Sequence, residues 1–135
     1  MLTLEQFKAA RATLQGVIRT TSLIHSPALS KACGNQVYLK PENMQVTGAY
    51  KIRGAYYKIS TLSEEEKARG LITASAGNHA QGLAYAAQAA GVPATIVMPT
   101  TTPLVKVNNT KDYGARVILH GEVFDEAAEK AAQLA

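Results

Sequence analysis

From residue 71 onward the sequence switches regularly between short apolar runs and helical patterns, and glycine or proline marks most of the switches. "LITAS" (71–75) leads into "GNHAQGLAYAAQAAG" (77–91). "ATIVM" (94–98) precedes "PLVKVNNTKDYG" (103–114), and "ARVILHG" (115–121) precedes "VFDEAAEKAAQLA" (123–135). Runs of four or five apolar residues bounded by turn signals read as buried strands. The longer patterns with small or apolar residues every three to four positions read as helices. Three strand-then-helix units in a row imply right-handed crossovers and an α/β fold, an open parallel sheet with helices on both faces. In such sheets ligands sit at the carboxyl ends of the strands. "LITAS" therefore delivers "SAGNHA" to the edge where a ligand is expected.

The first half is less regular. Thr3 with Gln6 forms a capping box for a helix through Leu4, Phe7 and Leu14, ended by Gly16. Pro27 and Gly34 break "TTSLIHSPALSKACGN" into a loop with one helical turn from Pro27 to Ala32. "QVYLK" reads as a short strand stopped by Pro41. From Tyr50 to Ser60, Ile52, Ala55, Tyr56 and Ile59 share one helical face. Ser63 with Glu66 caps a further short helix ending near Gly70.

Composition excludes several classes. Hydrophobic residues make up 47% and charged residues 18%, a balance that buries a core and argues against disorder. No apolar run approaches the ~20 residues of a membrane helix. The mixed-charge start "MLTLEQFKAARATL" lacks the order of a secretion signal. The lone Cys33 fits a reducing compartment. The net charge of +4, from 14 basic and 10 acidic residues, is spread along the chain rather than gathered into a nucleic-acid-binding stripe. The expectation is a cytoplasmic protein with neither a membrane nor a nucleic-acid partner.

Two stretches carry chemistry. In "SAGNHAQG" (75–82), Ser75 leaves the strand, Gly77 is free to adopt any backbone angle, and a helix starts near Asn78. The first amides of that helix have no intrahelical partner, and the positive end of the dipole lies behind them, which suits a carboxylate or oxyanion. The plain alternative is a strand–turn–helix joint with Ser75 or Asn78 as a cap. In "VTGAYKIRGAYYKI" (46–59), Lys51 opens a helix directly after the small residues Thr47, Gly48 and Ala49. The dipole disfavours a cation there. Lys51 is either a solvated lysine or an amine placed for nucleophilic attack on an aldehyde.

Together, "KPENMQVTGAYKIRGA" and "SAGNHAQG" resemble the pyridoxal-phosphate enzymes of the β-family, fold type II, and most closely the threonine and serine dehydratases. The resemblance runs on through "VMPTTTPLVKVNNTKDYGARVILHGEVFDEA" and covers nearly the whole chain. It implies that Lys51 holds pyridoxal 5'-phosphate covalently and then acts as general base at the substrate Cα. It implies that Asn78 hydrogen-bonds the cofactor's phenolic oxygen and that Tyr50 packs beside the ring. Ser75, Ala76, Gly77 and His79 match the loop that binds the substrate carboxylate. The implied reaction is dehydration and deamination of L-threonine or L-serine to a 2-keto acid and ammonia. That is a step of amino-acid metabolism, in threonine breakdown or isoleucine supply, carried out by a homo-oligomer. Residues 1–40 correspond to part of a larger domain, and residues 41–135 to a smaller, mobile one.

Departures refine this. Relatives commonly carry Ser-Phe where this chain has Ala49-Tyr50. Racemase-like relatives place a second serine where Ala76 stands, and Ala76 has no proton to donate. Cysteine-synthase relatives have threonine where His79 stands. These differences favour elimination over racemisation or β-replacement. No glycine-rich phosphate loop is found, so the expectation is an N-terminal fragment that does not turn over substrate alone. A non-catalytic α/β binding module is the alternative of a different class. His25, His79, His120 and Cys33 show no metal-ligand spacing, so no metal is expected. A "GxSxG" elbow and a "GxGxxG" loop are both absent.

Overall fold

The computed structural model describes residues Met1–Ala135. Its centre is a parallel sheet of β3 (Leu71–Ala74), β4 (Ala94–Met98) and β5 (Arg116–Leu119), in the order β3-β4-β5. Leu71 pairs with Ala94, and Thr95 with Arg116. The crossovers are α5 (Asn78–Ala90) and α6 (Leu104–Asp112), and α7 (Phe124–Leu134) follows β5. β4 lies between two strands and two helix layers, so its apolar run cannot alternate. Ile96 and Met98 pack with Ala80, Ala84, Val107 and Ala115 on one face. Val97 meets Ala127 and Ala131 of α7 on the other. The expected open parallel sheet with helices on both faces is therefore present.

α3 (Lys51–Ser60) joins the layer of α5. Its apolar stripe, Ala55 and Ile59, closes on Ala86, Ala87 and Val92. The seam is tight because α5 presents small residues. A Cβ added at Gly82 would stand 3.0 Å from the Ile52 nitrogen and from the Lys51 Cβ. α4 (Glu64–Arg69) carries the expected Ser63–Glu66 capping box.

The N-terminal arm is bound differently. α1 (Leu4–Thr13) has its Thr3–Gln6 capping box but no buried residue, and Leu4 and Phe7 are 68% and 60% exposed. β1 (Ile24–His25) pairs antiparallel with β2 (Tyr38–Leu39), around α2 (Pro27–Cys33). β1 falls in the stretch read as loop, because two residues have no periodicity to detect.

The arm is tied to the rest by polar contacts. The buried Gln45 side chain accepts from the Arg19 amide at 2.7 Å and donates to the Arg19 carbonyl at 2.8 Å. Arg53 of α3 grips Glu42 with two hydrogen bonds, Nε to Oε2 at 2.9 Å and a terminal nitrogen to Oε1 at 2.8 Å. The Thr21 hydroxyl donates to Glu42 Oε1 at 2.6 Å, and Lys40 Nζ donates to the Thr21 carbonyl at 2.7 Å. The Arg53 hydrogen bonds outweigh desolvation and hold the Glu42 pKa at about 2, against an ordinary 4.5.

A carboxylate with a depressed pKa adds stability above its unfolded value and loses it as pH falls through the folded one. The Glu42 contribution is thus complete above about pH 4.5 and gone near pH 2. Glu42→Gln is expected to lower the unfolding free energy by about 2 kcal/mol at pH 7. Urea unfolding at several pH values checks this: the gap between wild type and variant narrows from pH 4.5 towards 2.

Candidate active site

The two motifs singled out in the sequence meet at the N-terminal ends of α3 and α5. The chain reaches α3 through a turn held by Gln45, whose Oε1 also accepts from the Val46 amide at 3.1 Å. Gly48 has φ +70°, a left-handed conformation that favours glycine. Thr47 and Ala49 are buried beside it. The chain then places Tyr50 at the N-cap and Lys51 as the first residue of α3. The Tyr50 ring is 59% exposed, so its hydroxyl is solvated and needs no protein partner. Lys51 Nζ lies 5.3 Å from the ring centroid, a cation–π contact.

Across the seam, β3 runs through Ser75, Ala76 and Gly77 into α5. Ser75 Oγ turns back and accepts from the Gly77 amide at 3.3 Å and the Ala80 amide at 3.2 Å. It thereby caps α5 from two residues before the N-cap position, which Gly77 occupies. The capping role raised as the plain alternative is real. It leaves the Ser75 hydroxyl hydrogen free to point elsewhere. Asn78 and His79, the first two helical residues, have amides with no helical carbonyl to reach. Their side chains are exposed. A Cβ built on Gly77 meets nothing within 4 Å, so the approach to this turn is open.

The site is electropositive. Partial desolvation first, and then the charge of Lys51, push His79 below its ordinary pKa of 6.5, so the neutral imidazole predominates at pH 7. Lys106, from the first turn of α6, donates to Asn78 Oδ1 at 3.1 Å. Neither Lys51 nor Lys106 takes part in an ion pair. Two lysines without an ion-pair partner thus adjoin the positive end of α5, an arrangement that an anionic ligand relieves.

All seven residues named from the sequence, Tyr50, Lys51, Ser75, Ala76, Gly77, Asn78 and His79, fall on these two adjoining turns. Sequence reading missed Lys106, Gly82 and the Gln45 brace. Each acts on the site through a partner at least 26 residues away, and no local motif announces such contacts. As a donor set, a lysine amine, an amide beside it and an uncompensated positive field fit an aldehyde that carries a phenolic oxygen and anionic groups. Pyridoxal phosphate is such a molecule.

Comparison with known proteins agrees with this chemistry. The profile of the family described as "Pyridoxal-phosphate dependent enzyme" matches residues 14–135. The L-threonine ammonia-lyase of Thermotoga maritima is 56% identical over 134 residues, which are 99% of this chain and 33% of that protein. The catabolic L-threonine dehydratase TdcB of Staphylococcus aureus is 54% identical over 128 residues, 93% of this chain and 37% of that protein. Processed threonine deaminase isoform 2 from Solanum lycopersicum superposes with a TM-score of 0.83 at 39% identity, over 98% of this chain and 40% of that one. Maize serine racemase superposes with a TM-score of 0.89 at 32% identity, over 97% of this chain and 40% of that one. The chain spans about a third of the length of the curated relatives it matches. On the family match and the geometry of its two turns, the chain belongs to the pyridoxal-phosphate-dependent enzyme family.

Proposed function

We propose that the complete gene product carrying this sequence is a threonine dehydratase that converts L-threonine or L-serine to a 2-keto acid and ammonia. The observation that carries this reading is the position of Lys51. It opens a helix, faces the start of α5 and has no counter-charge. The identity to L-threonine ammonia-lyases and dehydratases supports the choice of substrate.

Lys51 would hold the cofactor through its side-chain nitrogen. The same amine would take the proton from the substrate Cα. When bound, the cofactor would supply an electron sink for that proton removal. Asn78 would donate from Nδ2 to the cofactor's phenolic oxygen, and Tyr50 would line the place of its ring. The Ser75 hydroxyl and the amides of Ala76, Gly77 and His79 hold the substrate carboxylate. In this arrangement the Gly77 amide is shared with Ser75 Oγ. The neutral His79 adds no charge of its own at pH 7. Residues 1–40 belong with a larger domain, residues 41–135 form a smaller mobile one, and the product is a cytoplasmic homo-oligomer. The apolar exposure of α1 is consistent with a further surface packing on the arm.

A second reading is racemisation, favoured by the likeness to maize serine racemase. Racemisation requires a proton donor on the far face of Cα. The methyl group of Ala76 offers none at the position where racemase-like relatives carry serine. Product analysis separates the two. Ammonia and 2-oxobutanoate released in equal amounts from L-threonine support elimination. Formation of the epimer at Cα without ammonia overturns it.

A further inference from the structure

Lys106 is a lysine in an unfavourable place. It belongs to the first turn of α6, where the dipole disfavours a cation, and its half-buried side chain points towards a second positive helix end, that of α5. The sequence has no carboxylate there to compensate it, and Lys106 joins no ion pair. What it does have is the side-chain oxygen of Asn78 at 3.1 Å.

The chemistry of that contact is directional. An ammonium group can only donate, and of the two polar atoms of an asparagine amide only Oδ1 accepts. The contact therefore selects one of the two amide orientations. Oδ1 turns towards α6, and Nδ2, with its two hydrogens, turns away from it. One helical step further along the seam, Asn109 Nδ2 donates to Gln81 Oε1 at 3.3 Å. The same two helices are thus tied twice, three residues apart on each. In both ties α6 supplies the donor and α5 the acceptor. Beneath them, Val107 and Thr110 are buried, so the α6 backbone that carries Lys106 is fixed by the core.

We propose that Lys106 is a positioning residue: by holding Asn78 Oδ1 it sets the amide so that Nδ2 donates to the phenolic oxygen of the bound cofactor. The inference rests on the reading of Asn78 given above and names the group that makes Asn78 a donor rather than an acceptor. An unheld amide would divide its population between two orientations. One of them points a lone pair at an anionic oxygen, which is repulsive.

The test uses the complete gene product. Three variants, Lys106→Met, Lys106→Arg and Asn78→Ala, are compared with wild type. The readouts are cofactor affinity, the absorption band of the bound cofactor followed against pH, and the thermal midpoint. Loss of one hydrogen bond to the chromophore is expected to weaken cofactor binding about 5-fold. Lys106→Met should therefore weaken binding by about that factor and shift the absorption band in the direction Asn78→Ala shifts it. Its thermal midpoint should stay close to wild type, since the contact is exposed. Lys106→Arg, which keeps a donor, should restore band and affinity to within about twofold. If Asn78→Ala shifts the band and Lys106→Met leaves it at the wild-type position, the positioning role is wrong while the reading of Asn78 survives. If Asn78→Ala shifts nothing, the reading of Asn78 fails and the inference falls with it. A Lys106→Met effect that appears only as a lowered thermal midpoint, without a band shift, also overturns the proposal.

Discussion

In the complete gene product, on the proposed reading, Lys51→Ala is expected to lower kcat/KM for L-threonine by at least about 10³-fold while leaving the fold intact. The size follows from the two roles assigned to one amine. On the proposed reading it anchors the cofactor and moves the Cα proton, and general-base catalysis alone contributes roughly 10²–10⁴-fold. No neighbour takes over. Lys106 is engaged with Asn78, and His79, though neutral and nearby, cannot form the covalent link. Stability should move the other way. Alanine is the better helix former, and the change removes a cation from the first turn of α3. The thermal midpoint of the cofactor-free protein is therefore expected to stay or rise slightly, whereas the loaded protein loses the stabilisation that bound cofactor gives. Loss of activity together with loss of stability in the cofactor-free protein would instead mark Lys51 as a structural residue.

Gly82→Val is expected to damage both fold and activity. Gly82 lies where α5 crosses the start of α3. A Cβ there meets the Ile52 nitrogen and the Lys51 Cβ at 3.0 Å and the Lys51 carbonyl carbon at 3.1 Å. Two of those three atoms are backbone, so relief requires the helices to separate. Overpacking of this kind costs about 1–3 kcal/mol, and the branched valine belongs at the upper end. Any separation also displaces Lys51. A shift of about 1 Å in a reacting group can cost about 10²-fold in rate. Urea unfolding and kcat measured on the same variant check both effects. Gly82→Ala is the informative companion. Its helix propensity gain of about 1 kcal/mol offsets much of the strain, so its stability should fall little while its activity still drops. An active Gly82→Val would show that the helix seam does not set the lysine.

How much of this was legible beforehand depends on range. The strands of the sheet could be read because each is a short apolar run between glycine or proline signals, and β4 is buried on both faces. The caps could be read because Thr3–Gln6 and Ser63–Glu66 lie three residues apart. Lys51 and the turn at 75–79 stood out because small residues and helix starts are local features. β1 did not, because a two-residue strand is defined by its partner and not by its own pattern. The link of Glu42 to Arg53 and Thr21 carries no local pattern and exists only in the folded chain. Ser75 was legible as a residue of interest but not in its geometry. The sequence allowed a cap or a carboxylate ligand, and the folded turn has its oxygen capping α5. Lys106 was invisible for the plainest reason: its partner Asn78 lies on another helix, and nothing local distinguishes it from a solvated lysine.

The central claim is that Lys51 is the amine that binds the cofactor. Its most direct test is to incubate the complete gene product with pyridoxal phosphate, reduce with borohydride, digest, and map the modified peptide by mass. The account predicts one dominant label, on Lys51, and loss of that label in Lys51→Ala. Label on Lys106, scattered label over surface lysines, or a labelled peptide that excludes Lys51 would contradict it.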